Sequence, residues 1–155
     1  MRRATLLVLA ILAVAVLPAG TAAGPTKDKP KDKGTTCALK TRLSPGNEVP
    51  PRTGDASGRT KIKIHDTTLK FKTRIRNDGQ TFTAGHVHRA AAGVNGPVVV
   101  TLLTAAALSD ERIKSKGKVE ILKALAEEIC GNPAGFYVNY HTTLNPGGAI
   151  RGQLG

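Results

Sequence analysis

The sequence predicts a mostly β domain, a sandwich or small barrel of about seven short strands interrupted by one short helix. Two observations carry this. Two successive segments within residues 57–76 alternate polar and apolar side chains with period two, the pattern of half-buried antiparallel strands. Elsewhere Gly, Pro and Asn mark turns between β segments, and helical spacing is found in one stretch, around residues 121–129.

The chain opens on Arg2 and Arg3, then an apolar run from Leu6 to Leu17, then "PAGTAAG". A positive start, a short apolar run and small residues at the −3 and −1 positions (Thr21 and Ala23) describe a secretory signal peptide over residues 1–23. The competing reading is an uncleaved anchor, which the short apolar run argues against. No cysteine follows that run closely enough for a lipoprotein, and no later segment is apolar enough to cross a membrane. Residues 24–36, "GPTKDKPKDKGTT", are densely charged with nothing apolar to bury, so they predict a flexible charged linker. The folded domain is then residues 37–155, one small unit with a modest core and no internal repeat.

Within it, "ASGRTKIKIH" and "TLKFKTRIR" form a hairpin across the short "DTT" link. Ile62, Ile64, Leu69, Phe71 and Ile75 share its inner face. Its outer face carries Arg59, Lys61, Lys63 and His65 on one strand, and Lys70, Lys72, Arg74 and Arg76 on the other. "NDGQ" is the next turn, since Asp-Gly supplies positive φ at little steric cost. "TFTAGHVHRA" alternates less clearly; with Val87 inward, His86 and His88 share the outward face. "GPVVVTLL" reads as a more fully buried strand. "GKVEILKALAEEICGNP" changes period, with Ile121, Leu122, Leu125 and Ile129 at helical spacing and a Gly131/Pro133 stop. This helix, before the penultimate strand, is expected to cover an edge or end of the sheets. "GFYVNYH" alternates again, with Phe136, Val138 and Tyr140 on one face and Tyr137, Asn139 and His141 on the other. "NPGG" turns the chain into a final strand, "AIRGQL".

Cys37 and Cys130 are the two cysteines. In an exported chain an even pair points to a disulfide, here between the first strand and the end of the helix. A loop of that length stabilises by roughly 4–5 kcal/mol in the chain-entropy account. The alternatives are two free thiols, or a sulfur ligand from Cys130.

Four blocks, "LSPGNEVPP", "ASG" opening a strand, "AGHVHRAAAGVNGPVVV" and "YVNYHTTLNPGGAIRGQL", together resemble the CHRD domain of animal chordins and of many secreted bacterial proteins. The likeness runs in order from about Leu39 to Leu154. It implies an antiparallel Greek-key β-sandwich or barrel, an architecture likened to that of copper/zinc superoxide dismutase. In animals the domain belongs to a secreted antagonist of growth-factor signalling; most bacterial members have no established activity. Two features depart from the family: a heavier basic hairpin face, and a cysteine in the helix.

Residues two apart on a strand point the same way, so His86 and His88 can reach one metal ion if a third ligand approaches from a neighbouring strand. His141 is the candidate. Three neutral imidazoles with an open position suit copper or zinc, and dismutases of that class likewise carry His-Val-His on a barrel strand with copper on it. A two-metal dismutase site needs six histidines and an aspartate, whereas this chain has four histidines in all. The fourth, His65, lies among lysines, which disfavour another cation. A single copper ion on His86, His88 and His141 is therefore the metal reading. The competing reading makes these imidazoles structural, donating to carbonyls and pinning strands or the "AAAGVNG" loop. Arg89 and Arg151 weaken the metal reading if they lie close by. Glu48, beside two prolines, is expected to cap a turn. No arrangement of nucleophile and base, no H-E-x-x-H and no phosphate-cradling glycine loop occurs, so nothing favours a hydrolase.

The formal charge is +12, and loss of Arg2 and Arg3 with the leader leaves +10. Arg59, Lys61, Lys63, Lys70, Lys72, Arg74 and Arg76 concentrate it on one hairpin face. Such a face either attracts an anionic surface or only keeps the sheet soluble. Aromatic residues make up 3% of the chain, too few for base stacking, which argues against a dedicated nucleic-acid partner. The first functional reading is a secreted, non-enzymatic binding module for anionic cell-envelope polymer or an extracellular protein. The second is a mononuclear copper protein with at most weak redox activity.

Overall fold

The computed structural model describes residues 34–104 and 106–155. The expected signal peptide over residues 1–23, and residues 24–33 of the expected linker, lie outside the described residues. The order of elements is β1 (Thr36–Leu43), β2 (Ser57–His65), β3 (Thr68–Arg76), β4 (Phe82–Arg89), β5 (Val98–Leu103), β6 (Arg112–Glu120), α1 (Lys123–Gly131), β7 (Phe136–Thr142) and β8 (Ile150–Gln153). Single 3-10 turns cover Pro45–Asn47 and Pro133–Gly135.

The strands form two antiparallel sheets, β1-β2-β3-β6 (sheet A) and β5-β4-β7-β8 (sheet B), a β-sandwich. The chain passes between sheets from β3 to β4, from β5 to β6 and, through α1, from β6 to β7, which is Greek-key connectivity. At one side β1 nearly joins β8, because Ser44 and Arg151 exchange backbone hydrogen bonds of 3.0 and 3.1 Å.

The hairpin forms as its alternation requires. Ile62, Ile64, Leu69, Phe71 and Ile75 face Phe82, Val87, Val138, Tyr140 and Ile150 from the other sheet in one core. Each such burial contributes about 1.5–3 kcal/mol. Asp66, with φ of 52°, makes the tight β2–β3 turn, and Gly79, with φ of 95°, serves the turn after β3. One polar chain crosses the core: the Thr60 and Thr73 hydroxyls lie 2.8 Å apart, and the Tyr140 hydroxyl donates to Thr73 at 2.8 Å. Gly85 is the position that admits the Tyr140 ring, since a Cβ there would stand 2.5 Å from Cε1.

Three expectations need correction. The strands number eight, because "RIKSKGKVE" forms β6 beside β3. Its inward positions hold Ser115 and Gly117 between Ile113 and Val119, which hides the period-two signal, and Gly117 makes room for the Phe71 ring. The helix therefore begins only at Lys123, after β6 has ended. β5 is not fully buried: it is an edge strand of sheet B, and Val98 is 48% exposed. Helix α1 does precede the penultimate strand, placing Ala126 and Ile129 in the core. Cys37 of β1 and Cys130 of α1 are joined in a disulfide, with Cα atoms 5.7 Å apart.

Candidate functional site

Strands β4 and β7 lie side by side in the middle of sheet B, with Ala84 opposite His141 and His86 opposite Asn139. Val87 and Val138 point into the core, so His86, His88, Asn139 and His141 project from the outer face. That face is covered by chain rather than open to solvent: every residue of β7 is buried, and His88 and His141 are 8% and 9% exposed. The cover is loop residues 44–52 and 90–96, held by Asn47 Nδ2 donating to the Arg151 carbonyl and Asn95 Nδ2 donating to the Val49 carbonyl.

One nitrogen from each of His86, His88 and His141 lies within 4.8 Å of the other two. His88 Nδ1 is 2.9 Å from the Gly96 carbonyl and His141 Nδ1 is 2.9 Å from the Pro146 carbonyl. A carbonyl only accepts, so in both neutral rings Nδ1 carries the proton and Nε2 carries the lone pair. His86 Nδ1 stands 3.0 Å from His141 Nε2 and donates to it. His88 Nε2 is buried with no partner. Carbonyls holding Nδ1–H and freeing Nε2 are the usual outer support of metal-bound imidazoles. Two nitrogens on one ion stand at most about 4 Å apart, so small ring rotations would be needed for all three to bind together.

Burial lowers the pKa of all three imidazoles. His86 is pushed down to about 4 by burial first, then by His141 and His88. His88 is lowered by burial, then by His141 and Arg151, against the opposing Gly96 hydrogen bond. His141 is lowered by burial against the Pro146 hydrogen bond. The cluster is thus neutral at pH 7, the state a ligand requires. His65 takes no part: its side chain is 78% exposed and lies 3.3 Å from the Asp66 carboxylate. Arg89 pairs with Glu128 of α1 at 2.7 Å, whereas Arg151 does lie near the imidazoles. Its guanidinium stacks 3.4 Å from the Tyr137 ring centroid, and Tyr137 stacks on His88 at 4.7 Å. Arg151 is 1% exposed and donates to Asn95 Oδ1 and to the carbonyls of Ala91 and Val94, which fixes the 90–96 loop.

Glu48 caps a turn as its place beside two prolines suggests: it ends the Pro45–Asn47 3-10 turn, its backbone N–H donating to the Pro45 carbonyl at 3.0 Å. Its side chain goes further than capping requires: it is 5% exposed and accepts from Asn139 Nδ2 at 3.3 Å. Glu48 Oε1 and Asn139 Oδ1 are both buried without partners. Burial raises the Glu48 pKa to about 7, outweighing Arg151, Arg52 and the Asn139 hydrogen bond, which all lower it. A protonated Glu48 has the O–H donor that this excess of acceptors lacks. Sequence reading places Asn139 on the right face but misses Glu48, because a loop after β1 delivers it and no periodicity marks loop burial.

The opposite outer face, on sheet A, is where the basic residues gather. Pairing sets Arg59 opposite Arg74, Lys61 opposite Lys72 and Lys63 opposite Lys70. The flanking strands extend these rows: Lys40 and Arg42 of β1 lie opposite Lys61 and Arg59, and Lys114, Lys116 and Lys118 of β6 lie opposite Arg74, Lys72 and Lys70. Among the described residues, the carboxylate paired to this array is Glu120, 3.0 Å from Lys118 at its edge.

The fold and these two faces define a Greek-key β-sandwich module with a covered imidazole cluster on one side and a cationic sheet on the other. The CHRD domain family model matches residues 39–154, and the chain belongs to that family. No curated protein and no solved structure matches the chain.

Proposed function

We propose that this chain is a secreted, non-enzymatic binding module whose basic β-hairpin face holds anionic cell-envelope polymer or an acidic extracellular protein. The register of β2 against β3 supports this most directly. Like charges directly opposite one another destabilise a sheet, yet Arg59, Lys61 and Lys63 each face a cation. A partner bearing negative charge relieves that repulsion. The disulfide fits an oxidising compartment. The test is retention on isolated envelope material across a salt series, with Lys61, Lys63, Lys70 and Lys72 all changed to Glu. Salt-sensitive retention that the variant loses supports the reading; equal retention by both refutes it.

A second reading, a mononuclear copper site on His86, His88 and His141, is favoured by the unpartnered His88 Nε2 beside the 3.0 Å His86–His141 contact. Cysteine sulfur is not available to it, since Cys130 is in the disulfide. Protein loaded with Cu(II) and desalted should keep the metal, and His86→Ala should lose it. Because burial keeps these imidazoles neutral below their ordinary pKa, retention should persist at pH 6. Metal-free protein after loading ends this reading.

A further inference from the structure

The cations of sheet A separate by type. Lysines fill the rows toward the β2–β3 turn, while arginines gather at the other end of the strands. There, Arg42, Arg59, Arg74 and Lys114 form one row across all four strands. Beyond it, Arg76 lies opposite Arg112 and Ser57, with Ser44 just past the end of β1. Between these rows is a groove of about 940 Å³ floored by the backbone of Leu43, Gly58, Ile75 and Ile113. Three strand spacings make it about 14 Å long. No acidic and no aromatic side chain lines it. None of its arginines is in an ion pair among the described residues.

We propose that this groove seats a linear phosphodiester polymer, with successive phosphates lying across the strands from β1 to β6. The proposal rests on the reading of sheet A as an anion-binding face and names the subsite and the ligand. Guanidinium forks hold the two free oxygens of a phosphodiester in a bidentate grip that an ammonium cannot supply. The small Ser44 and Ser57 leave the groove open at the β1–β2 side and add hydroxyl donors. A groove takes a chain more readily than a bilayer plane, and without aromatic walls it offers no stacking for bases. The lysine rows act at longer range, steering the polymer in.

The experiment measures binding of fluorescent poly(glycerol phosphate) by anisotropy. The variant carries Arg42→Lys, Arg59→Lys, Arg74→Lys, Arg76→Lys and Arg112→Lys, which keeps every charge and alters only exposed side chains. The expected result is binding weakened tenfold or more, while Lys61→Arg with Lys72→Arg changes it less than twofold. Equal binding by the arginine-to-lysine variant overturns the groove and leaves a face that counts only charge. Stronger capture by phosphatidylglycerol vesicles, heparin or polyglutamate overturns the phosphodiester occupant but leaves the anion-binding reading standing. If the unaltered protein holds none of these polyanions, both fall.

Discussion

Replacing Glu48 by Gln should make the protein more stable at neutral pH and leave it unchanged in mild acid. Glu48 has a folded pKa of about 7 against 4.5 when exposed. Between those values the folded chain holds a proton that the unfolded chain has released. Stability from this group is therefore fully present below pH 4.5 and is lost as pH rises through 7. A tenfold difference in proton affinity is worth about 1.4 kcal/mol, so the full effect is about 3 kcal/mol. Water reaching the carboxyl through the neighbouring loops screens it and reduces that to about 2 kcal/mol. A glutamine side chain is neutral at every pH, and its amide supplies a donor where Glu48 needs a proton. The imidazole cluster works in the opposite direction: its lowered pKa values give stability that is present above about 6.5 and lost as acid protonates the unfolded chain. Comparing Glu48→Gln with the unaltered protein cancels that background. Urea denaturation followed by circular dichroism from pH 4 to 8 should show no difference near pH 4.5 and an advantage for the variant of about 2 kcal/mol at pH 7.5. A difference that stays constant across this range would show that Glu48 titrates as an ordinary carboxylate and would refute the argument.

Three further outcomes are expected. Removing the disulfide with Cys37→Ser and Cys130→Ser should lower stability by about 3–5 kcal/mol, read as a shifted denaturation midpoint; an unchanged midpoint would mean the link constrains nothing. Gly85→Ala should destabilise by about 2–3 kcal/mol through collision with the Tyr140 ring, whereas Gly79→Asn at the exposed turn should change the thermal midpoint little. Thr73→Val should lower stability by about 1–2 kcal/mol, because it strands the Thr60 hydroxyl and leaves Tyr140 with Ser115 alone, and Thr73→Ser should recover most of it; equal losses in both would place the effect in packing rather than hydrogen bonding.

Most of the sandwich was legible because half-buried strands write their faces into the sequence. Ile62, Ile64, Phe71 and Ile75 announce an inner face, and the outward pattern of Tyr137, Asn139 and His141 located the third imidazole beside His86 and His88. β6 escaped because two of its inward positions are not apolar: Gly117 is set by the volume of the Phe71 ring and Ser115 by the hydroxyl of Tyr140. β5 looked buried because β-branched residues serve an edge strand as readily as a central one. The burial of Glu48 and Arg151 came from loops folding back over sheet B, a long-range event with no local periodicity. The arginine groove had the same cause: its rows join strands far apart in sequence, so only the β1–β2–β3–β6 register reveals them.

The Greek-key crossing also gives the molecule a front and a back. The cationic array belongs to sheet A and the imidazole cluster to sheet B, so the full thickness of the core separates them. A domain lying on a negatively charged support through sheet A would be oriented rather than randomly adsorbed. Its histidines would turn toward the surrounding medium, where a dissolved ion could reach the loop-covered side without competing for the anchored one.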